Sequence, residues 1–401
     1  MDEALVASVS QWLASQASRQ IDEPAVFGDA FLDRVVAGGI PLARASTNLV
    51  TMHPEVQGIE LVWWRGQGST LRALPHGVLE SEDFKGSPVD DALRAGQTVR
   101  HRLDAGPIAF PQLAALAEKG VVDYVATPVE LGEGQRTCFT YATDRPGGFT
   151  DDELATLEAI FPVLVQRVEV GALRRARQAL LEVYLGPEAA QRVLSGAFRR
   201  GQGTLRTVVI LYCDMRGFTA LSDALPPAEV VSILDQYFEI LGGAVADHGG
   251  EILKFIGDAM LATFPVDDRG PGAPCQAAMA AARQALGGLA ALDALRQARS
   301  QPSIRVGVAL HLGEVMFGNI GARNRLDFTI IGRAVNEATR IETLCKVLDV
   351  PLLVSAEFAR AAHPTPFTSL GEHVLRGVRA PQEVFAPAPE DQRAPASPAS
   401  S

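Results

Sequence analysis

Two aspartates in the C-terminal half of the chain stand where strand-like runs give out. Asp214 follows the β-branched run TVVILYC and directly precedes MRGFT. A carboxylate at the end of a buried strand, entering a glycine-containing turn, can hold a metal. The amides of Gly217, Phe218 and Thr219 can then face phosphate oxygens at the start of the next helix. The same Asp can equally satisfy the amides of its own turn. Asp258 lies in EILKFIGDAMLATF, where alternating runs flank Gly257-Asp258, the pattern of a tight hairpin. Its carboxylate can project from the tip, and two carboxylates on adjacent strand ends can share Mg²⁺, a hard ion that prefers oxygen ligands and keeps substrate phosphates in its shell.

The elements needed to position these groups are legible around them. Residues 201–384 alternate strand and helix signals: RTVVILYCD, AEVVSILDQYFEILGGAVADHGG, the Asp258 hairpin, an Ala-rich helix from about 274 to 299, SIRVGVALHLGEVMFGNI, DFTIIG and AVNEATRIETLCKVL. This predicts an α+β unit with a central sheet. Ahead of it, Thr150-Asp-Asp-Glu153 is a capping box opening a long run with Leu154, Leu157, Ile160, Leu164, Val168, Leu173, Leu180 and Leu181 at helical spacing. The stripe reads as a helix of about seven turns. It is either a core face or a parallel dimer seam; the RRAR punctuation favours the seam. Residues 3–16 predict a short amphipathic helix, DAFLDRVVAGG another, and VVDYVATPVEL and RTCFTYATDRPGGF a hairpin joined through GEGQ. From FAPAPEDQ onward the chain is Pro, Ala and Ser and predicts a loose tail.

At this point the chain resembles the class III nucleotidyl cyclases. The resemblance covers about 205–384 and rests on LYCDMRGFT, LKFIGDAML, LHLGEVMFGNIG, DFTIIGRAVNEATR and LGEHVLRGV in that order. It implies a ferredoxin-like catalytic domain, with Asp214 and Asp258 as ligands of two Mg²⁺ ions (Mn²⁺ as an alternative) and the Met215 carbonyl as a backbone ligand. Lys254 matches the purine-selecting lysine of adenylate cyclases, and Thr329 the second base-selecting position. Asn336 and Arg340 match the pair that orients ribose and stabilises the transition state. Four residues apart on a helix, they share a face; without the flanking motifs NEATR would read as a solvated helical face with Glu337 and Arg340 as surface charges. Arg376-Gly377 stands where many relatives have Lys-Gly at the triphosphate, and Arg323 and Arg325 are further candidates for phosphate.

The implied reaction is closure of ATP to cyclic AMP and pyrophosphate. Lys254 can donate to adenine N1 and opposes guanine N1–H, whereas Thr329 leaves pyrimidines less firmly excluded. In the family the metal aspartates face the Asn and Arg across a dimer interface, and a chain with one copy of each set predicts a homodimer with two sites. A weaker resemblance, carried by YVATPVELGEGQRTCFTYATDRPGGFTDDE, is to GAF sensor domains. The expected organisation is an N-terminal helix over 1–27, a GAF-like α/β sensor over 28–165, a helical signalling linker over 166–200, the cyclase domain over 201–384 and the tail over 385–401. The sensor's small-molecule or protein signal is not readable.

Composition bounds the rest. The 401 residues carry 36 Lys and Arg against 47 Asp and Glu, a net charge of −11, which repels polyphosphate and argues against nucleic-acid binding. Cys138, Cys213, Cys275 and Cys345 form no CxxC pair, so neither a disulfide framework nor a zinc knuckle is indicated and a reducing cytoplasm fits. No export signal or membrane span is apparent. Cys138 reads as core, Trp63 and Trp64 as packing, and His53, His248 and His311 as structural or solvated.

Overall fold

The computed structural model describes residues 1–50, 56–132, 136–197, 203–378 and 380–388. The chain divides into two compact units, Met1–Leu180 and Leu181–Ser401.

The first unit opens with helices α1 (Glu3–Ala14), α2 (Gln16–Arg19) and α3 (Pro24–Ala37), followed by strands β1 (Arg44–Val50), β2 (Val56–Trp64) and β3 (Gly68–Pro75). Helix α4 (Pro88–Ala95), strand β4 (Val99–Arg102), helix α5 (Pro111–Ala117), strands β5 (Asp123–Glu130) and β6 (Arg136–Thr143), and helix α6 (Asp151–Leu185) complete it. The strands form one antiparallel sheet in the order β3-β2-β1-β6-β5-β4. One face buries Leu5, Val9 and Leu13 of α1 with Phe31 and Val35 of α3 and Leu157, Ile160 and Leu164 of α6. The other packs Ala92 of α4 and Leu113 of α5 on Tyr124 and Cys138.

The capping box is formed. The Glu153 amide donates to Thr150 Oγ1 at 3.2 Å, and the Thr150 amide donates to Glu153 Oε2 at 2.8 Å. The helix it opens runs 35 residues, about ten turns rather than seven. Its first half is core and not a dimer seam: Leu157, Ile160, Leu164 and Val168 are buried in the first unit. Because the stripe stays buried through Val168 and Gly171, the unit boundary falls at Leu180 instead of 165. Residues 1–27 are likewise part of this unit's core rather than a separate segment.

The second unit contains α7 (Pro187–Leu194), β7 (Gly203–Met215), α8 (Phe218–Ala224), α9 (Pro227–Asp247), β8 (Glu251–Ile256), β9 (Ala259–Pro265), α10 (Gly272–Ala298) and β10 (Val306–Ala322). It ends with β11 (Arg325–Ile331), α11 (Arg333–Val347), β12 (Leu352–Ser355), α12 (Ala356–Ala361), β13 (Phe367–His373) and β14 (Gln382–Pro387). The path β7-α9-β8-β9-α10-β10 lays down antiparallel neighbours β10-β7-β9-β8, a β-α-β-β-α-β ferredoxin-like order, which β12, β14 and β13 extend beyond β10. One face of the sheet packs on α9 and α10; the other carries a smaller apolar layer with α11. Phe385, assigned to the tail by composition, pairs with Val354 and Ser369 in β14, so the folded region runs to Pro387. Pro387 closes β14 past the last residue that pairs with β12, so its missing amide donor breaks no bond to that neighbour. Residues 389–401, the 133–135 part of the hairpin loop and His53 lie outside the described residues.

Candidate active site

Strand period two decides where Asp214 points. Val209, Leu211, Cys213 and Met215 of β7 pack towards α9 and α10, whereas Val208, Ile210 and Tyr212 face Phe317, Ala334 and Ala338. Asp214 continues the second face at the point where the strand ends. Gly217, at φ +76, then turns the chain into α8 in a left-handed conformation that favours glycine. Met215 has its side chain 4% exposed in the core, leaving its backbone as all it can offer a ligand.

Asp258 arrives from the adjacent hairpin. Ile256 pairs with Ala259, so Gly257 and Asp258 are the two turn residues between β8 and β9, with Gly257 at φ +64. The turn brings the two carboxyls together. Burial, then the hydrogen bond and charge of Asp258, push the Asp214 carboxyl up to about 6, against the pull of the Met215 amide.

A third carboxyl stands behind this pair. Gly307 of β10 is opposite Asp214 in register, and a Cβ there would stand 2.2 Å from Glu342 Oε1 of α11. The glycine is what lets Glu342 reach the sheet. Glu342 is 8% exposed; burial, then Asp214, push its carboxyl up to about 7, with Arg216 opposing and Asp258 adding. Arg216 is held elsewhere: its Nη2 donates to the carbonyls of Cys345, at 2.8 Å, and Val350, and its Nη1 lies 3.6 Å from Asp349 Oδ1.

Lys254 lies on β8 with Nζ donating to Asp327 Oδ2 of β11 at 2.5 Å. Thr329, two residues further along β11 and therefore on the same face as Asp327, is 9% exposed. Lys254 and Thr329, the two positions expected to select the base, thus come from strands that an ion pair ties together.

Asn336 and Arg340 are exposed on α11 and share a face. Arg340 precedes Glu342 by two positions, roughly 200° around a helix, so with Glu342 turned to the sheet Arg340 is turned away from its own chain's aspartates. Glu337 is no surface charge: its side chain is 12% exposed, held by Arg333 Nε at 2.6 Å and His311 Nε2 at 3.4 Å. His311 is correspondingly structural, and His248 bonds Gln284 at 2.9 Å. Cys138 and Trp63 are core, as expected. Arg376 is exposed beside Leu375, which anchors the loop after β13 to Ile341 and Cys345 of α11. Arg323 and Arg325 are exposed at the β10–β11 turn.

Residues 202–386 match the family described as the adenylate and guanylate cyclase catalytic domain. This part of the chain is a class III cyclase domain. An adenylate cyclase of Anabaena cylindrica is 36% identical to it over 167 residues, 40% of this chain and 32% of that protein. An uncharacterized protein of Mycobacterium tuberculosis is 34% identical over 245 residues, 60% of this chain and 41% of its own length. The chain therefore spans well under half of these curated relatives. Among solved structures, the adenylyl cyclase CyaB from P. aeruginosa shares 25% identity with a TM-score of 0.41, covering 47% of this chain and 98% of that one. The guanylyl cyclase Cya2 shares 28% identity at the same TM-score, covering 46% and 92%.

The cyclase domain's donor set can be tested against the metal its family implies. Among the described residues no group of three or more His, Cys, Asp or Glu forms a cation cage. Two adjacent carboxyls, with that of Asp214 pushed up by burial and then by Asp258, fit a hard divalent ion that draws its remaining oxygens from water and substrate phosphates. Sequence reasoning missed Asp327 and Glu342. Asp327 is visible in retrospect by period two from Thr329. Glu342 is two past Arg340, and its role depends on Gly307, which is 35 residues away in the chain.

Proposed function

We propose that the cyclase domain converts ATP to 3',5'-cyclic AMP and pyrophosphate at two equivalent sites of a homodimer. The observation that carries this reading is the convergence of Asp214 and Asp258 at the end of β7 and the adjacent hairpin turn; Lys254 is separately tied to Asp327 of β11. The adenylate cyclase activity of the Anabaena relative agrees with it.

When bound, two Mg²⁺ ions (Mn²⁺ as a substitute) lower the pKa of the ribose 3'-hydroxyl and offset charge on the phosphates. Asp214, Asp258 and the Met215 carbonyl would hold them, and the amides of Gly217, Phe218 and Thr219 would face the triphosphate. The new bond joins O3' to the α-phosphorus, the bond from that phosphorus to pyrophosphate breaks, and the hydroxyl proton leaves; no side chain is assigned as its acceptor. Lys254, already donating to Asp327, has ammonium protons left for adenine N1; with GTP it would meet another donor.

Arg340 and Asn336 of a second chain would orient ribose and meet the charge growing on the α-phosphoryl oxygens, since each helix turns them away from its own aspartates. Removing such a donor costs about 10² to 10³ in rate. A second chain also suits the surface: Leu205, Met316 and Ile331 are register neighbours across β7, β10 and β11, and are 60%, 43% and 52% exposed. Arg376 is proposed to reach the triphosphate from its anchored loop. The first unit, one antiparallel sheet with helices on both faces, is read as the GAF-like sensor of a cytoplasmic signal.

The deciding experiment offers ATP, GTP, CTP and UTP separately to the purified chain with Mg²⁺ or Mn²⁺. Cyclic AMP from ATP, abolished in Asp214→Ala, is expected. Product from GTP at an equal rate would remove the base assignment, and no product from any nucleotide would leave a silent nucleotide-binding regulator.

A further inference from the structure

The first unit holds a cavity of about 70 Å³ between its sheet and the helices above. Thr47 and Phe139 on β1 and β6 line its floor; Phe31 of α3 and Leu164 of α6 line its walls. At roughly 10–15 Å³ for each water-sized occupant, it takes about five non-hydrogen atoms. Two features depart from an ordinary packing defect.

The first is Thr47. It is 9% exposed, and its hydroxyl has no hydrogen-bond partner although it borders the cavity. A buried hydroxyl left unmatched is costly unless something in the cavity meets it.

The second is the way the α6 stripe ends. Leu157, Phe161, Leu164 and Val168 line the cavity with apolar side chains, and the next positions on that face are Gly171 and Arg175. A Cβ on Gly171 would stand 3.0 Å from Arg167 Nη1 and 3.3 Å from Arg175 Nη1, so the bare glycine admits two guanidinium groups to one point. Arg167, 9% exposed, spends Nε on Ser18 Oγ at 3.1 Å and Nη2 on the carbonyls of Ser18 and Ile21, both at 2.7 Å. Arg175 Nη1 donates to the Asp22 carbonyl at 3.4 Å. Among the described residues neither has a carboxylate within ion-pair distance; the carboxylate of Asp22 is 3.9 Å from Arg174 instead. Burial depresses the pKa of both arginines, and for Arg175 the next cause is the charge of Arg167. Asp22 and Glu23 oppose that depression without an ion pair to either arginine among the described residues, and two cations meeting at the edge of an apolar cavity are matched by a carboxylate that can accept from both forks.

We propose that this cavity binds a short aliphatic carboxylate of about four to six carbons bearing a carbonyl or hydroxyl on its chain, with the three carboxylate atoms at the cavity edge and only the rest of the chain inside. The carboxylate bridges Arg167 Nη1 and Arg175, the hydrocarbon lies over Phe139, and the chain oxygen accepts from or donates to Thr47 Oγ1. This site is apart from the nucleotide site and does not depend on the reaction proposed for the cyclase domain.

The test is calorimetry on the full chain with 5-oxohexanoate, hexanoate, 1-hexanol and inorganic phosphate, which reads binding without turnover. Both carboxylates should bind at least about tenfold tighter than hexanol, since a hydrogen bond to a charged group typically supplies that much, with the oxo acid tightest and phosphate weakest. Arg175→Gln should erase the margin over hexanol; Thr47→Val should erase only the advantage of the oxo acid. Arg175 is partly exposed, so the unfolding temperature of its ligand-free variant should match the parent and separate lost binding from lost folding. Equal affinity for hexanol and hexanoate, phosphate binding as tight as hexanoate, no binding at millimolar concentration, or full carboxylate affinity in Arg175→Gln would each overturn the proposal.

Discussion

The carboxyl of Glu342 occupies the space that a side chain on Gly307 would fill, with Oε1 2.2 Å from where a Cβ would stand, directly opposite Asp214 on the neighbouring strand. Glu342 thereby becomes a buried acid behind the two aspartates. Its folded pKa, about 7, is above the ordinary 4.5. The neutral form is therefore favoured by folding. Its contribution is fully present below pH 4.5, is lost as pH rises to about 7, and is flat above. Glu342→Gln, which keeps the shape without the charge, should stabilise the chain at pH 8 by about 1–3 kcal/mol and flatten the fall in stability between pH 4.5 and 7. Chemical denaturation at several pH values checks this; an unchanged slope would contradict it.

Metal uptake should release protons. With the Asp214 carboxyl at about 6, much of it is protonated at pH 6 and must ionise to bind Mg²⁺. Calorimetric titration in buffers of different ionisation enthalpy should show release at pH 6 and little at pH 8. Asp214→Asn should abolish turnover and the release together.

Asp327→Asn should act on base choice more than on folding. The ion pair to Lys254 has Asp327 60% exposed, so its loss should cost no more than about 1 kcal/mol of stability. A lysine freed from its partner should lose part of its preference for ATP, visible as a several-fold fall in the ATP-to-GTP ratio of kcat/KM. An unchanged ratio with lowered stability would make the pair merely structural.

Mixing two inactive variants should restore activity. If each site takes its aspartates from one chain and Arg340 from the other, equal amounts of Asp214→Ala and Arg340→Ala chains should rebuild about a quarter of the sites, through the heterodimers. Turnover after co-expression reads this, and none would place Asp214 and Arg340 of each site on one chain.

Thr150→Ala removes the acceptor that caps α6 and should cost about 1 kcal/mol. A lowered unfolding transition with unchanged far-ultraviolet helix content would register it.

Much of this was legible because it is local. The capping box needs residues three apart, the Gly257-Asp258 turn needs two alternating runs, and the strand ending at Asp214 needs only its β-branched run. Where residues 157–168 bury their stripe was not legible, since one helical period serves a core face and a dimer seam alike. Nor was the role of Phe385: a Pro- and Ala-rich stretch reads as unable to fold until Val354 and Ser369 supply its hydrogen bonds.

The sequence by itself determined which side chains could do chemistry here, the order of the strands and helices that carry them, and the cyclase family of residues 202–386, because each depends on residue type and near-neighbour spacing. Only the tertiary structure decided that Lys254 is tied to Asp327, that Glu342 lies over Gly307, and that Arg340 is turned away from Asp214. Those relations join positions far apart in the chain. Strand register and the rotation of α11 set them, and neither is written in any one segment.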